Sequence, residues 1–176
     1  GLSFDGWFLE YTLTTPFFYE QMPAGNLQLF ARWANSSSRL YVSPNGVRTN
    51  DGTRNSPLDV DTAVRTIKAG GTVQFLEGRY MLRNTLVLSA SGNANAKTSY
   101  IGAATGNGVI LDFSQMVEND SNVGIKVCGN YNIIKNFTVY NAGDNGMLLG
   151  SSNNLVENCV FEKNRDTGLQ ISRFSG

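Results

Sequence analysis

Histidine is absent from the 176 residues of this chain. That absence excludes a Ser-His-Asp or Cys-His catalytic site within the chain, and any His-ligated zinc site. An excess of charge is also missing. Fourteen basic residues balance fourteen acidic ones, and no basic stripe stands out, so nucleic acid is not an expected partner. No apolar run is long enough to span a membrane. The N-terminus lacks the basic and then apolar layout of a signal peptide, so secretion would require a signal already removed. Low charge and many Asn, Gly, Ser and Thr residues fit an extracellular protein, and secretion is the expectation carried forward. Asn35-Ser36-Ser37, Asn119-Asp120-Ser121 and Asn136-Phe137-Thr138 match the glycosylation acceptor pattern, a tripeptide common by chance in an Asn-rich chain.

What is present is a repeat. Gly124-Ile125-Lys126-Val127 recurs as Gly146-Met147-Leu148-Leu149 and again as Gly168-Leu169-Gln170-Ile171, each 22 residues on. Asn132-Ile133-Ile134-Lys135-Asn136 recurs at the same spacing as Asn154-Leu155-Val156-Glu157-Asn158. A fixed period of this size marks a solenoid, in which each repeat buries its apolar face only against its neighbours. The repeats are too short for two helices, contain no proline, and are rich in Val, Ile, Leu, Phe, Asn and Gly. Short strands separated by Asn/Gly turns fit best, so each repeat reads as one turn of a parallel β-helix, an all-β fold.

Residues 22 apart then stack one strand spacing, about 4.8 Å, above one another. Ile134 on Val156, and Ile125 on Met147 and Leu169, read as core. Lys135 on Glu157 reads as an exposed ion pair worth a fraction of a kcal/mol, about 0.5. Asn136 on Asn158 and Asn132 on Asn154 read as structural ladders that bond along the stack and satisfy turn backbone. Cys159 falls on the strand position of Phe137, whereas Cys128 follows a strand at the position of Gly150. The two cysteines read as free, largely buried thiols, with a disulfide as the alternative.

Upstream, Arg39-Leu40-Tyr41-Val42 reads as the first strand. One helix candidate follows, with Ser56 as cap, Pro57 at its first position, an apolar stripe of Val60, Ala63, Val64 and Ile67, and Gly70 as its end. Its expected job is to cover the open end of the first coil. Strands are expected at 72–76, 80–82, 85–88, 99–101 and 109–113. The solenoid is therefore assigned to residues 39–176. Residues 1–38, aromatic-rich from Trp7 to Trp33 and without a 22-residue echo, remain unassigned.

One ladder carries charge. Asn122, Asp144 and Asp166 each precede a repeat Gly by two residues. Stacked like charges repel, so a column holding Asp144 and Asp166 must be solvated, be partly neutralised, or hold a cation. Calcium suits carboxylates on turns, because it takes about six to eight oxygens in loose geometry. The alternative is that both aspartates are turn formers before Gly.

The segments Ala142-Gly143-Asp144-Asn145-Gly146-Met147, Glu157-Asn158-Cys159-Val160-Phe161 and Asn164-Arg165-Asp166-Thr167-Gly168-Leu169-Gln170-Ile171 resemble the core of polysaccharide lyase family 9. That family contains pectate lyases and rhamnogalacturonan lyases. Tyr41-Val42-Ser43-Pro44-Asn45-Gly46, Gly70-Gly71-Thr72-Val73 and Gly78-Arg79-Tyr80 extend the resemblance over roughly residues 39 to 174. It implies a right-handed parallel β-helix and calcium-dependent β-elimination of acidic pectin, either polygalacturonate or rhamnogalacturonan. Aspartates would hold the calcium, and a lysine kept neutral would take the C5 proton. On that resemblance Asp166 matches the first calcium aspartate, Asp144 lies one coil earlier, and Arg165 and Lys163 flank the site as candidate partners for substrate carboxylates.

Lys126, Lys135 and Lys163 do not sit in the family's lysine context, so no catalytic base is assigned. The base and further calcium aspartates would belong to later coils. The chain accordingly reads as the N-terminal part of a lyase, open after Ile171, inactive alone and prone to self-association through its exposed end. A non-catalytic β-helix that binds carbohydrate or supports an assembly is the alternative. A glycoside hydrolase on the same fold is disfavoured, because no adjacent acid pair appears on a strand.

Overall fold

The computed structural model describes residues 2–11, 17, 25–35, 39–104, 106 and 108–172. Its strands alternate inward apolar and outward polar residues over very short spans, as a coil with three flat sides requires. One side is built from β3 (Arg39–Val42), β4 (Thr72–Phe75), β7 (Thr98–Gly102), β10 (Asn132–Lys135) and β13 (Leu155–Glu157), paired in that order. A second holds β5 (Gly78–Met81), β8 (Val109–Asp112), β11 (Thr138–Tyr140) and β14 (Val160–Glu162). The third holds β6 (Leu86–Leu88), β9 (Ile125–Val127), β12 (Met147–Leu149) and β15 (Leu169–Ile171). Every pair within these three sheets is parallel.

The register gives the stacking residue by residue. Ile125 pairs with Met147 and Met147 with Leu169, and Thr138 pairs with Val160, so the last coils keep the 22-residue step. Earlier coils are longer. Arg39 pairs with Thr72 and Leu86 with Ile125, because loops and α1 are inserted between strands. Interior columns follow. Val73, Tyr100, Ile134 and Val156 form one; Tyr80, Leu111, Val139 and Phe161 another; Leu86, Ile125, Met147 and Leu169 a third. They merge into a single apolar core.

The corners repeat as well. Tyr131 and Asn153, Asn136 and Asn158, and Asn141 and Lys163 are pairs 22 residues apart, and all six have left-handed φ between 51° and 66°. Asn tolerates this conformation better than other non-glycine residues, which explains its frequency at the corners. The expected ladders form. The Asn132 amide donates to Asn154 Oδ1 at 2.7 Å, the Ser152 amide to Asn130 Oδ1 at 2.8 Å, and Lys135 Nζ lies 3.0 Å from Glu157 Oε2.

The helix α1 (Val60–Thr66) begins later than the sequence suggests. Its cap is Asp59, whose Oδ1 accepts from the Thr62 amide at 2.8 Å, and not Ser56. The reason is upstream. The Ser56 amide closes a turn onto Thr53 O, and Leu58 is drawn into a parallel bridge with Val42, so Pro57 stays extended. Gly70 does not end the helix. Ile67 already leaves helical geometry to bury its side chain, and Gly70, at φ 77°, turns the chain toward β4. Val60, Ala63, Val64 and Ile67 are buried, and α1 packs on β3 and β6, the first strands of two sheets. It therefore covers the end of the first coil. Within residues 1–38, β1 (Leu2–Phe8) pairs antiparallel with β2 (Phe30–Asn35), and Phe8 is buried against this cap, with the Arg48 guanidinium 4.9 Å from its ring centre.

Both cysteines are free. Cys159 is half-buried at the Phe137 position, and burial pushes its thiol pKa up. Cys128 is exposed, against expectation. It follows the inward-facing Val127, and alternation turns it to solvent.

Candidate functional site

The turn that carries Asp144 is held by its neighbour. Asn145 is buried, and its Nδ2 donates to Asp144 Oδ2 at 2.9 Å and to Gln170 Oε1 at 3.0 Å. Its Oδ1 accepts from the Thr167 amide at 3.2 Å and from the Thr167 hydroxyl. One side chain thus ties two consecutive coils together and fixes the direction of the Asp144 carboxylate. Asp144 is only 8 % exposed, whereas Asp166 on the next coil is open to solvent. The Asp166 amide donates to Asp144 O at 3.3 Å, so the two residues occupy equivalent positions on adjacent turns.

Both aspartates line one cleft of about 440 Å³, together with Asp120, Asn145, Arg165 and Gln170. A second cleft, of about 480 Å³, shares Asp120, Asp144 and Gln170 and continues over the outer face of the β6–β9–β12–β15 sheet past Lys126 and Leu148. Asn122, the third member of the expected column, does not join them. Its Nδ2 donates to Val117 O at 2.7 Å, within its own loop.

Arg165 Nη1 contacts Asp120 Oδ1 at 2.7 Å. This ion pair holds the guanidinium over the turn, and Asp120 first, then Glu118 and Asp144, raise its pKa further. Lys163 goes elsewhere. It sits at a left-handed corner and its Nζ bonds the Tyr140 hydroxyl at 3.1 Å, beside the β11–β14 sheet rather than in the aspartate cleft. That bond and the charge interaction with Tyr140 raise the Lys163 pKa, the opposite of what a proton-accepting amine needs. Arg79 lies against the same ring, 5.2 Å from its centre, and pairs with the buried Asp112.

Three participants were not singled out by repeat arithmetic. Asp120 reaches the cleft on a loop outside the period. Asn145 and Gln170 are positions at which two coils meet. The Asn145-Gly146 sequence before a strand was the available signal.

The donor chemistry of Asp144, Asp166 and Asp120 is that of a hard cation site, since all are oxygen ligands on turns. Among the described residues, no group of three or more acidic, Cys or His side chains converges closely enough to hold a metal unaided. These side chains therefore suit calcium in kind, as part of a coordination sphere and not the whole of it.

A parallel β-helix with three sheets, a helical cap and an aspartate-bearing turn beside one sheet defines the class: a β-solenoid of the carbohydrate-active type. Residues 40–175 match the family described as Pel9A-like, right handed beta helix region, and the chain belongs to that family, within polysaccharide lyase family 9. It is 36 % identical over 151 residues to pectate lyase L of Thermoclostridium stercorarium, an alignment covering 84 % of this chain and 12 % of that protein. It is 36 % identical over 137 residues to pectate lyase L of Paenibacillus polymyxa, covering 77 % and 30 %. The crystal structure of pectate lyase Pel9A superposes with a TM-score of 0.66 at 29 % identity, over 78 % of this chain and 36 % of the other. The chain thus spans about a third or less of the length of these relatives.

Proposed function

We propose that this chain forms the cation- and substrate-binding coils of a secreted pectate lyase that acts on acidic pectin by calcium-dependent β-elimination. The observation that carries this reading is the pairing of Asp144 and Asp166 on adjacent turns of one cleft, in a chain 36 % identical to pectate lyase L over most of its length. Asp166, open to solvent, and Asp144, oriented by Asn145, are the residues that would hold calcium, with water completing the shell. When bound, calcium supplies a Lewis acid beside a uronate carboxylate and so makes the adjacent C–H proton more acidic. The chain's own residues position. Asn145 locks two coils, and Arg165, held by Asp120, presents a cation at the rim of the cleft. No residue here is assigned as the base. Lys163 is kept protonated by Tyr140, and Lys135 is paired with Glu157.

The test is formation of unsaturated product from polygalacturonate by the protein from its native source. Product that requires calcium, and that falls at least about tenfold in Asp166→Asn, supports the reading. Reducing ends without unsaturation would mean hydrolysis and would overturn it. The 176-residue chain alone is expected to bind without turnover.

A further inference from the structure

The aspartate cleft is one end of a longer trough. A third cleft, of about 580 Å³, lies between α1 and the loop at Gly46 to Arg48, and it includes Arg65, Thr85 and Val87. Thr85 and Val87 also line the 480 Å³ cleft beside Lys126, and that cleft in turn shares Asp120, Asp144 and Gln170 with the Asp166 end. The three are therefore continuous along the outer face of a single sheet. The floor is one outward column, Val87, Lys126, Leu148 and Gln170, one residue from each of β6, β9, β12 and β15. At about 4.8 Å per rung the column spans roughly 14 Å before α1 adds its own surface.

The floor's chemistry suits a sugar chain. Val87 and Leu148 offer apolar surface to ring faces, while Lys126 between them offers a cation and Gln170 an amide. Cations recur along the length, with Arg65 and Arg48 at the α1 end, Lys126 midway and Arg165 at the far end. The carboxylates are placed differently. Asp59 caps α1, Asp61 faces solvent, Asp120 is engaged by Arg165, and Asp144 and Asp166 share the proposed calcium end. A chain bearing a carboxylate on each unit meets a cation, or a cation-binding pair, in each section of the trough.

We propose that this trough is a multi-subsite groove for a polyuronate, running along the solenoid axis from the Asp144–Asp166 turn to the helical cap. Lys126 binds a substrate carboxylate in its middle and Arg65 binds one at its distal end. The proposal rests on the lyase reading above and extends it to residues outside the calcium turn. Neither Lys126 nor Arg65 is deeply buried, so replacing them leaves the fold intact.

The experiment is calorimetric titration of the protein with a short and a long oligogalacturonate in the presence of calcium, at two salt concentrations. Lys126→Gln is expected to weaken the long oligomer about tenfold, the loss of one charge-assisted contact, while Lys126→Arg retains most of the affinity. Arg65→Gln is expected to weaken only the long oligomer, and by less. Each neutral variant should also flatten the salt dependence. If the wild-type protein binds both oligomers and neither variant differs from it, the trough is wrong while the calcium-turn reading stands. If wild-type protein binds no galacturonate oligomer at all, both fall together.

Discussion

The coils before residue 114 and those after residue 122 solve the same packing problem by different means. The earlier coils vary in length, with Leu86 paired 39 residues ahead to Ile125, and their loops close on themselves, as where Asn93 Oδ1 accepts from the amides of Asn95 and Ala96. The later coils hold a 22-residue step, and their turns are bonded from one coil to the next through Asn132, Asn154, Asn145 and Asn164. Local closure permits insertions such as α1. Cross-coil bonding forbids them, because each extra residue would break a ladder on both sides. The candidate calcium turn lies in the strict region, where the position of one carboxylate fixes that of the next.

The largest test of this contrast is within one interior column, Leu88, Val127, Leu149 and Ile171. Leu88 is 2 % exposed and Ile171 is 77 % exposed. Leu88→Ala is expected to cost about 2–5 kcal/mol in chemical denaturation, and Ile171→Ala within about 0.5 kcal/mol. Equal losses would show that the end of the column is buried in solution.

Next comes the turn. Asn145→Ala removes bonds to Asp144, Gln170 and Thr167 at a buried position and should cost about 2 kcal/mol. Asn93→Ala, which loses only local contacts in an exposed loop, should cost about 0.5–1 kcal/mol. A larger effect at Asn93 would reverse the comparison.

A pH test follows. Burial pushes the Asp112 pKa up, but the Ser114 amide and hydroxyl and the Arg79 guanidinium outweigh it, so its pKa in the folded chain lies below the ordinary 3.8. Its contribution to stability is then fully present above pH 3.8 and is lost as pH falls through the folded value. Asp112→Asn should therefore be less stable than wild type near neutrality, and the gap should close in acid. A gap that is constant with pH would contradict the assignment.

The smallest effect separates two core tyrosines. The Tyr80 hydroxyl bonds Leu76 O at 2.6 Å, whereas the Tyr100 hydroxyl is buried without a hydrogen-bond partner. Tyr80→Phe should cost about 1 kcal/mol, and Tyr100→Phe should be neutral or stabilising by about 1 kcal/mol.

The strict region was legible because stacking repeats chemistry as well as spacing. Lys135 over Glu157 and Asn136 over Asn158 could be read from the sequence and are present. The irregular region was legible strand by strand but not at its joints, since the bridge from Leu58 to Val42 delays the helix to Asp59. At the site, Asp144 and Asp166 are brought together, yet Lys163 beside them in sequence turns away at a left-handed corner. Asp120 arrives from a loop that no period predicts. Side-chain direction at corners and the reach of loops are set by three-dimensional packing, and a repeat count does not contain them.

The most direct test of the central claim is galacturonate binding measured with calcium and again with a chelator, for wild type and for Asp166→Asn. The account predicts binding that needs calcium and that weakens at least about tenfold in the variant. Equal binding with and without calcium, unchanged by the substitution, would contradict it.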